Sequence, residues 1–464
     1  MSNVRNFGAT GDGKTDDTAA IARAVTDGDG TLALPRGDYI INSPIIIDTT
    51  KTGRAAIHGT GGTAKVIMAG PGPAFIIKGN HTGTADPRSY KPLTWQNERL
   101  PMIENLEIEG RDAQADGIRI EGTTQATIQG LLVRNCRHAI RIAKRNRNVL
   151  ITSCHLYHNT GVGVLIDQCN LHQINITGNH ISYCRLGGVR IQKSEVRNLQ
   201  ITGNDIEYNN HKVHNTQPAP TAEIFIDCSD AKATVREGTI ASNTIQATES
   251  EGGANIRMVG SAKNPLGSAG MWTIAGNLIG SQESNIDIEH CRAITVTGNI
   301  IYTAYRANIH AKQCENLVIA NNTLDHNHVN SVKTPVHLRF EHCKGIALNG
   351  NIVHDHPKPV YKSSGHAKNG TIVFDQSQRI TVTGCQITDA RRAALHFDAC
   401  DLVNITGCAV TQSQGDPTLT TSVCFTGKGK NLAITGNLLT KGTNGPVQIA
   451  EDVVVAQANN TIVE

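Results

Sequence analysis

The sequence predicts an all-β chain wound as a right-handed parallel β-helix, with three short strands per coil and a short N-terminal capping helix. Three observations predict it. First, the phrase Ile-Thr-Gly-Asn ends at Asn179, Asn204 and Asn437. Variants end at Asn243, Asn277, Asn299, Asn322 and Asn351, and at Cys385 and Cys408 with cysteine in the last place. The steps are about 22 to 25 residues, with longer ones of about 29 to 39 where loops are inserted, the arithmetic of a solenoid. Second, short runs with a period of two recur once per step. Third, 39% hydrophobic residues, only 4% aromatics and 45 glycines describe a narrow aliphatic core bounded by many turns.

The elements follow in order. Thr15 to Val25 offers an N-cap residue, acids in a first turn and helically spaced apolar residues, a capping helix over the first coil. Thr31 to Ile41 then enters the coils, so residues 1–53 read as cap and first coil, and 54–464 as one continuous β-helix. From Gly117 the first strand of each coil is legible: Gly117-Ile-Arg-Ile-Glu121, Val189-Arg-Ile-Gln192, Ile286-Asp-Ile-Glu289, Leu338-Arg-Phe-Glu341 and their relatives. Each turns its apolar pair inward and the residue between outward. A second strand such as Ile174-Asn-Ile176 follows, then the Gly-Asn turn, then a third such as His180-Ile-Ser182. The recurrent asparagine is expected to be a stacked turn residue that tolerates left-handed backbone and bonds its copies.

Cys169, Cys291, Cys314, Cys343 and Cys400 close the same local phrase, and Ser194 and Ser377 replace cysteine in it. That exchange points to small stacked residues, so the 12 cysteines are expected as buried free thiols. A formal charge of +3 gives weak attraction to anions and no case for nucleic acid, even with the basic run Arg137 to Arg147. No apolar stretch is long enough to span a membrane. The opening Met-Ser-Asn-Val-Arg has no apolar leader, so the protein is intracellular or a leader has been removed.

The segment from Asn3 through Phe7-Gly-Ala-Thr-Gly-Asp12-Gly-Lys-Thr-Asp16-Asp17 to Ile21, followed by Leu34-Pro-Arg-Gly-Asp-Tyr-Ile40, resembles the N-terminal signature of the pectate-lyase superfamily. That group includes polygalacturonase-, rhamnogalacturonase- and epimerase-like enzymes and phage tailspikes. The resemblance implies the β-helix fold over essentially the whole chain and an activity on polysaccharide, without fixing the reaction. Asp12, Asp16 and Asp17 read as loop and cap residues. The Asn-Thr-Asp, paired-Asp, Gly-His-Gly and Arg-Ile-Lys set of polygalacturonases is absent; Ser364-Gly-His-Ala is nearest and lacks the second glycine. The Tyr-Gly-Phe-Asp-Pro-His string of alginate epimerases is absent too. The coil phrasing is also similar to that of the inulin fructotransferases.

Stacking the first strands predicts two outward stripes, with adjacent coils about 4.8 Å apart. One runs Arg119, Arg141, Leu165, Arg190, Phe225, Arg257, Asp287, His310, Arg339, Val373, His396; the other includes Glu121, Asp167, Asp227, Glu289, Lys312, Glu341, Asp375 and Asp398. Arginines and acids that merely neutralise one another would produce such stripes. A sugar-binding groove would also produce them, with arginine forks gripping acidic groups and carboxylates doing chemistry.

On the second reading Asp287 and Glu289, roughly 6 to 7 Å apart along one strand, are the acid and base or nucleophile, with Glu341 as substitute. His310 and Arg339 position substrate, and Arg190, Arg257, Lys312, Asp375, His396 and Asp398 bind it. The expected activity is hydrolysis of glycosidic bonds in a polysaccharide, an acidic one, needing no cofactor. The alternatives are a lyase using His310, Lys312 and Arg339, with Ca²⁺ held by the acids, a fructotransferase-like transglycosylase, or a non-catalytic tailspike-like binder. Oligomer formation is left open. Asp325-His-Asn-His328 and His354-Asp-His356, on adjacent coils, could hold a transition metal, although no metal ligand is assigned from sequence. Tyr90 to Trp95 offers an aromatic to stack on sugar. Insertions carrying His211, His214 and Pro357 to His366 are expected to wall the binding face.

Overall fold

The computed structural model describes residues 1–83, 86–212, 220–264, 267–327, 336–355, 370–413 and 418–464. Contacts group the chain into two compact units, Met1–Thr239 and Ile240–Glu464. Each is a stack of right-handed parallel coils, all-β as expected. In the second unit one coil consists of Ser284–Glu289, Cys291–Thr297 and Ile300–Tyr302, and the next of Ala307–Lys312, Glu315–Ala320 and Thr323–Asp325. Every strand of the first pairs in parallel with its copy in the second. No helix among the described residues is long and apolar enough to cross a membrane.

The N-terminal helix α1 (Thr18–Asp27) buries Ala20, Ile21, Ala24 and Val25, covering the strands Thr31–Ala33 and Ile45–Asp48. It starts three residues later than the sequence suggested and has no acid in its first turn. The aspartates are occupied before the helix begins. Asp17 accepts from the backbone N–H of Thr10 and Gly11 at 2.7 and 3.0 Å, and Asp16 from that of Thr18 at 2.9 Å. They are loop and cap residues, as read.

The interior is built from register. In the first unit Ile120, Ile142, Ile166, Ile191 and Ile226 stand in one buried column. In the second, Phe340, Phe374, Phe397 and Phe425 stack with centroids 5.0, 4.7 and 5.0 Å apart, the spacing of offset aromatic pairs. All 12 cysteines are unpaired and buried, each a small apolar filler as expected.

The asparagine ladder is present, with one correction. Asn243, Asn277, Asn299, Asn322 and Asn351 pass side-chain hydrogen bonds from coil to coil at 2.9 to 3.0 Å. The left-handed backbone belongs to the residue before each asparagine, such as Gly178 (φ 65°) and Gly298 (φ 64°). Glycine has no Cβ to clash there, which frees asparagine to act through its amide. Asn299 Oδ1 accepts from both the backbone N–H and the side chain of Asn277. Asn299→Ala is therefore expected to cost about 1–3 kcal/mol for each buried group left unpaired, read as a lower urea midpoint.

Candidate functional site

Strand register places the two outward stripes as the sequence reading laid them out within each unit. Arg119, Arg141, Leu165, Arg190 and Phe225 are successive neighbours in the first unit. Arg257, Asp287, His310, Arg339, Val373 and His396 are neighbours in the second, beside Glu289, Lys312, Glu341, Asp375 and Asp398.

The first-unit arginines are already engaged. Arg119 meets Glu121 at 2.7 Å, Arg141 meets Asp167 at 2.8 Å, and Arg190 lies 3.6 Å from Asp227 with its guanidinium 4.8 Å over the Phe225 ring. The basic run is dispersed in the same way: Arg137 pairs with Asp116, Lys144 with Glu121, and Arg147 stacks 4.4 Å over Tyr90.

In the second unit the stripe changes character. His310 Nδ1 is 2.9 Å from Asp287 Oδ1, and Arg257 donates to Asp287 Oδ2 through Nε at 3.2 Å and Nη2 at 3.1 Å. On the other side His310 Nε2 faces Glu341 Oε1 at 3.6 Å, beyond hydrogen-bond reach, and Arg339 Nε binds that same oxygen. The imidazole is thus held between two carboxylates, each backed by an arginine. Its side chain is only 8% exposed, and Nε2 is buried with no hydrogen-bond partner.

This order sets the protonation states. Burial disfavours ionised Asp287, but the His310 hydrogen bond and the Arg257 and Arg306 charges outweigh it and hold the carboxyl at about 2. Glu341 is held well below the carboxylate range by His310 and Arg339 against its own burial. Burial opposes protonation of His310, yet Asp287 and Glu341 together raise its pKa. The group most disposed to carry a proton is therefore the imidazole, not either carboxyl.

The expected partnership of Asp287 with Glu289 is not the one the contacts display. Asp287 turns to its cross-coil neighbours, while Glu289 takes Lys312 at 2.8 Å and raises the lysine's pKa. His396 is buried further along, bonded through Nε2 to Thr426 at 2.9 Å, and burial lowers its pKa. Thr426 in turn donates to Asp398 at 2.9 Å. Asp375 stands in register between Glu341 and Asp398.

With this geometry in hand, comparison with known proteins gives a family. The family described as "Right handed beta helix region" matches residues 93–240 and 222–463. The chain belongs to this right-handed β-helix family. Residues 1–98 match "Rhamnogalacturonase A/epimerase, pectate lyase-like", which bears out the N-terminal resemblance without singling out a branch.

Among solved β-helix structures, gene product 12 of bacteriophage phi29, in its pre-mature form, has a TM-score of 0.57 at 13% identity; the match covers 98% of this chain and 57% of that one. The tailspike gp61 of Pseudomonas phage phi297 has a TM-score of 0.50 at 13% identity, covering 94% and 80%. Such identity shows the fold alone. A 57-residue stretch is 44% identical to the "Non-secreted LysM effector LysM19" of Penicillium expansum, covering 10% of this chain and 4% of that protein.

Two further features of this β-helix lie off the first-strand stripes. A cleft of about 810 Å³ in the first unit is lined by Trp95, Gln125, Asn148, Gln173, Asn198 and neighbouring residues. The four amides all occupy left-handed turns, and Trp95 is 45% exposed. Trp95 had been singled out from sequence; the amide column had not. Its signal is an amide two residues before each outward position of the second strand, at Gln125, Asn148, Gln173 and Asn198.

At the ends of the third strands, Asp325, His326 and His354 form the only group of three donors within 4.8 Å of one another among the described residues. The acid ladder of the first strands, expected to hold Ca²⁺ if the chain were a lyase, contributes no residue to this group. His214, His328, His356 and Pro357 to His366, including Ser364-Gly-His-Ala, lie outside the described residues.

Proposed function

We propose that the chain is a carbohydrate-active enzyme that hydrolyses glycosidic bonds of a polysaccharide on the second unit's first-strand face, with His310 as proton donor. The observation that carries this reading is the imidazole held between two ionised carboxylates with its Nε2 unbonded. The description of the family matched by residues 1–98 supports a sugar polymer as substrate.

A glycosidase needs one group that gives a proton and another that takes one from water. Asp287 and Glu341 are both ionised near neutral pH and can only accept. Nε2 is covered when no sugar is bound, so the entering sugar must part it from its cover before His310 gives its Nε2 proton to the glycosidic oxygen as the bond to the anomeric carbon breaks. Water adds to that carbon and leaves its proton on Glu341. The 3.6 Å gap between Glu341 Oε1 and His310 Nε2 is the route by which the proton returns. Asp287 and Arg257 are positioning residues that orient the ring, and Arg339 does the same for Glu341. Glu289 and Lys312, on the same face, contact the sugar beside the break. Because the stripe's arginines are paired with its own acids, the reading does not require an acidic polymer.

The pH profile of kcat/KM tests the assignment. Activity should fall on the alkaline side, at a pH above the usual histidine value of about 6.5, because His310 must be protonated. Asp287→Asn should move that limb to lower pH and reduce turnover while sugar binding persists. An alkaline limb that stays in place in this variant would contradict the role given to His310.

The cleft beside Trp95 favours a second reading, non-catalytic carbohydrate binding, since neutral amides around an exposed aromatic suit sugar hydroxyls and faces. On that reading Trp95→Ala weakens oligosaccharide binding by roughly three- to tenfold, the worth of one aromatic contact, with no turnover to lose.

A further inference from the structure

We propose that Asp325, His326 and His354 bind a divalent transition metal ion of the Zn²⁺ kind, with Asp389 as the carboxylate that orients His354 from behind. This site is separate from the one assigned to hydrolysis. Asp325 and His354 end third strands of adjacent coils, Thr323–Asp325 and Ile352–His354, and His326 follows directly. Strand stacking therefore brings the three together without any long-range adjustment.

The donor atoms have the spacing of a coordination shell. His326 Nδ1 and His354 Nδ1 lie 3.0 and 3.1 Å from the same atom, Asp325 Oδ1, and the two rings are 5.1 Å apart and inclined at 51°. Ligands about 2.0–2.1 Å from a tetrahedral Zn²⁺ stand about 3.3 Å from one another. Asp325 Oδ1 also accepts the backbone N–H of His326 at 2.8 Å, so the carboxylate is held toward the rings.

The second and independent observation lies behind the ligands. His354 Nε2 faces Asp389 Oδ2 at 3.4 Å, and Asp389 is almost wholly buried. Asp389 is itself fixed by the backbone N–H of Ser413 at 2.5 Å and by the Ser413 hydroxyl at 2.6 and 2.7 Å. A metal ion on Nδ1 would leave the ring's proton on Nε2, facing this buried carboxylate. That is the carboxylate–histidine–metal arrangement by which proteins fix the ligating tautomer. Without a metal, Nδ1 stands 3.1 Å from Asp325 Oδ1, an ordinary hydrogen-bond distance, and a metal ion would take the place of the proton between the two atoms.

Two imidazoles and one carboxylate also choose the metal. Ca²⁺ and Mg²⁺ take oxygen ligands, whereas imidazole suits Zn²⁺, Cu²⁺, Ni²⁺ and Co²⁺. Water would complete the shell.

The test is titration of untagged, chelator-treated full-length protein with Zn²⁺ against a chromophoric chelator, and with Co²⁺ followed by its visible absorption. One Zn²⁺ per chain is expected, with Co²⁺ bands that Zn²⁺ abolishes and millimolar Ca²⁺ does not. His354→Gln and Asp325→Asn should each abolish binding, and Asp389→Asn should weaken it by about 10- to 100-fold, the usual effect of losing such a partner. Unfolding curves of the metal-free variants confirm that they fold. No Zn²⁺ or Co²⁺ uptake by the parent protein would overturn the proposal. So would uptake that survives in both His354→Gln and Asp325→Asn, or displacement of Co²⁺ by Ca²⁺.

Discussion

Replacing His310 by glutamine should lower kcat on the cleaved polysaccharide by about 10²–10⁴-fold, the range that loss of a positioned acid or base commands. Glutamine keeps a hydrogen-bond donor of similar reach but has no proton to give. KM should change little, because the ring is buried and makes its main contact with Asp287. His396→Gln is the control: it stands on the same stripe but is engaged with Thr426, and its loss should cost turnover far less.

The same substitution has a stability signature. His310 has a raised folded-state pKa, so its contribution is full below the unfolded value of about 6.5 and is lost as pH rises through the folded value. Asp287 titrates at about 2 when folded, so its contribution is present above the unfolded value of about 3.9 and is lost as pH falls toward the folded one. The cluster is therefore most stabilising between about pH 4 and 6.5. His310→Gln should flatten the alkaline slope of the unfolding midpoint against pH.

The largest effect on stability is expected from Phe374→Ala. Phe374 is stacked between Phe340 and Phe397, wholly buried, with its ring nearly parallel to that of Phe397. Truncating a buried phenylalanine costs about 3–5 kcal/mol, part lost transfer energy and part cavity. A coil's neighbours cannot close the gap, because both are fixed by their own strand register. Phe374→Leu keeps most of the volume and should cost far less. Urea unfolding followed by circular dichroism measures both, and a loss below about 1 kcal/mol for the alanine variant would mean the column is not packed as described.

Much of this architecture was legible because a parallel β-helix repeats its constraints. Once Asp287, His310 and Arg339 were placed at one position of the phrase, their adjacency followed from register. Which neighbour each would choose did not follow. Along a strand, Asp287 and Glu289 are roughly 6 to 7 Å apart, whereas the next coil is about 4.8 Å away. The cross-coil partners are nearer, and Asp287 takes them.

The sequence reading also assigned left-handed backbone to the ladder asparagines, where glycine's missing Cβ lets the preceding residue supply it. The Trp95 cleft was half visible. Its aromatic stood out in a chain poor in aromatics, while its amides differ little in type from ordinary turn residues.

The central claim is tested most directly by incubating the parent protein and His310→Gln with neutral and uronate polysaccharides while following new reducing ends and the absorbance of unsaturated products together. The account predicts reducing ends without unsaturated absorbance, and loss of both the activity and its alkaline limb in the variant. Unsaturated products, or turnover that His310→Gln leaves intact, would contradict it.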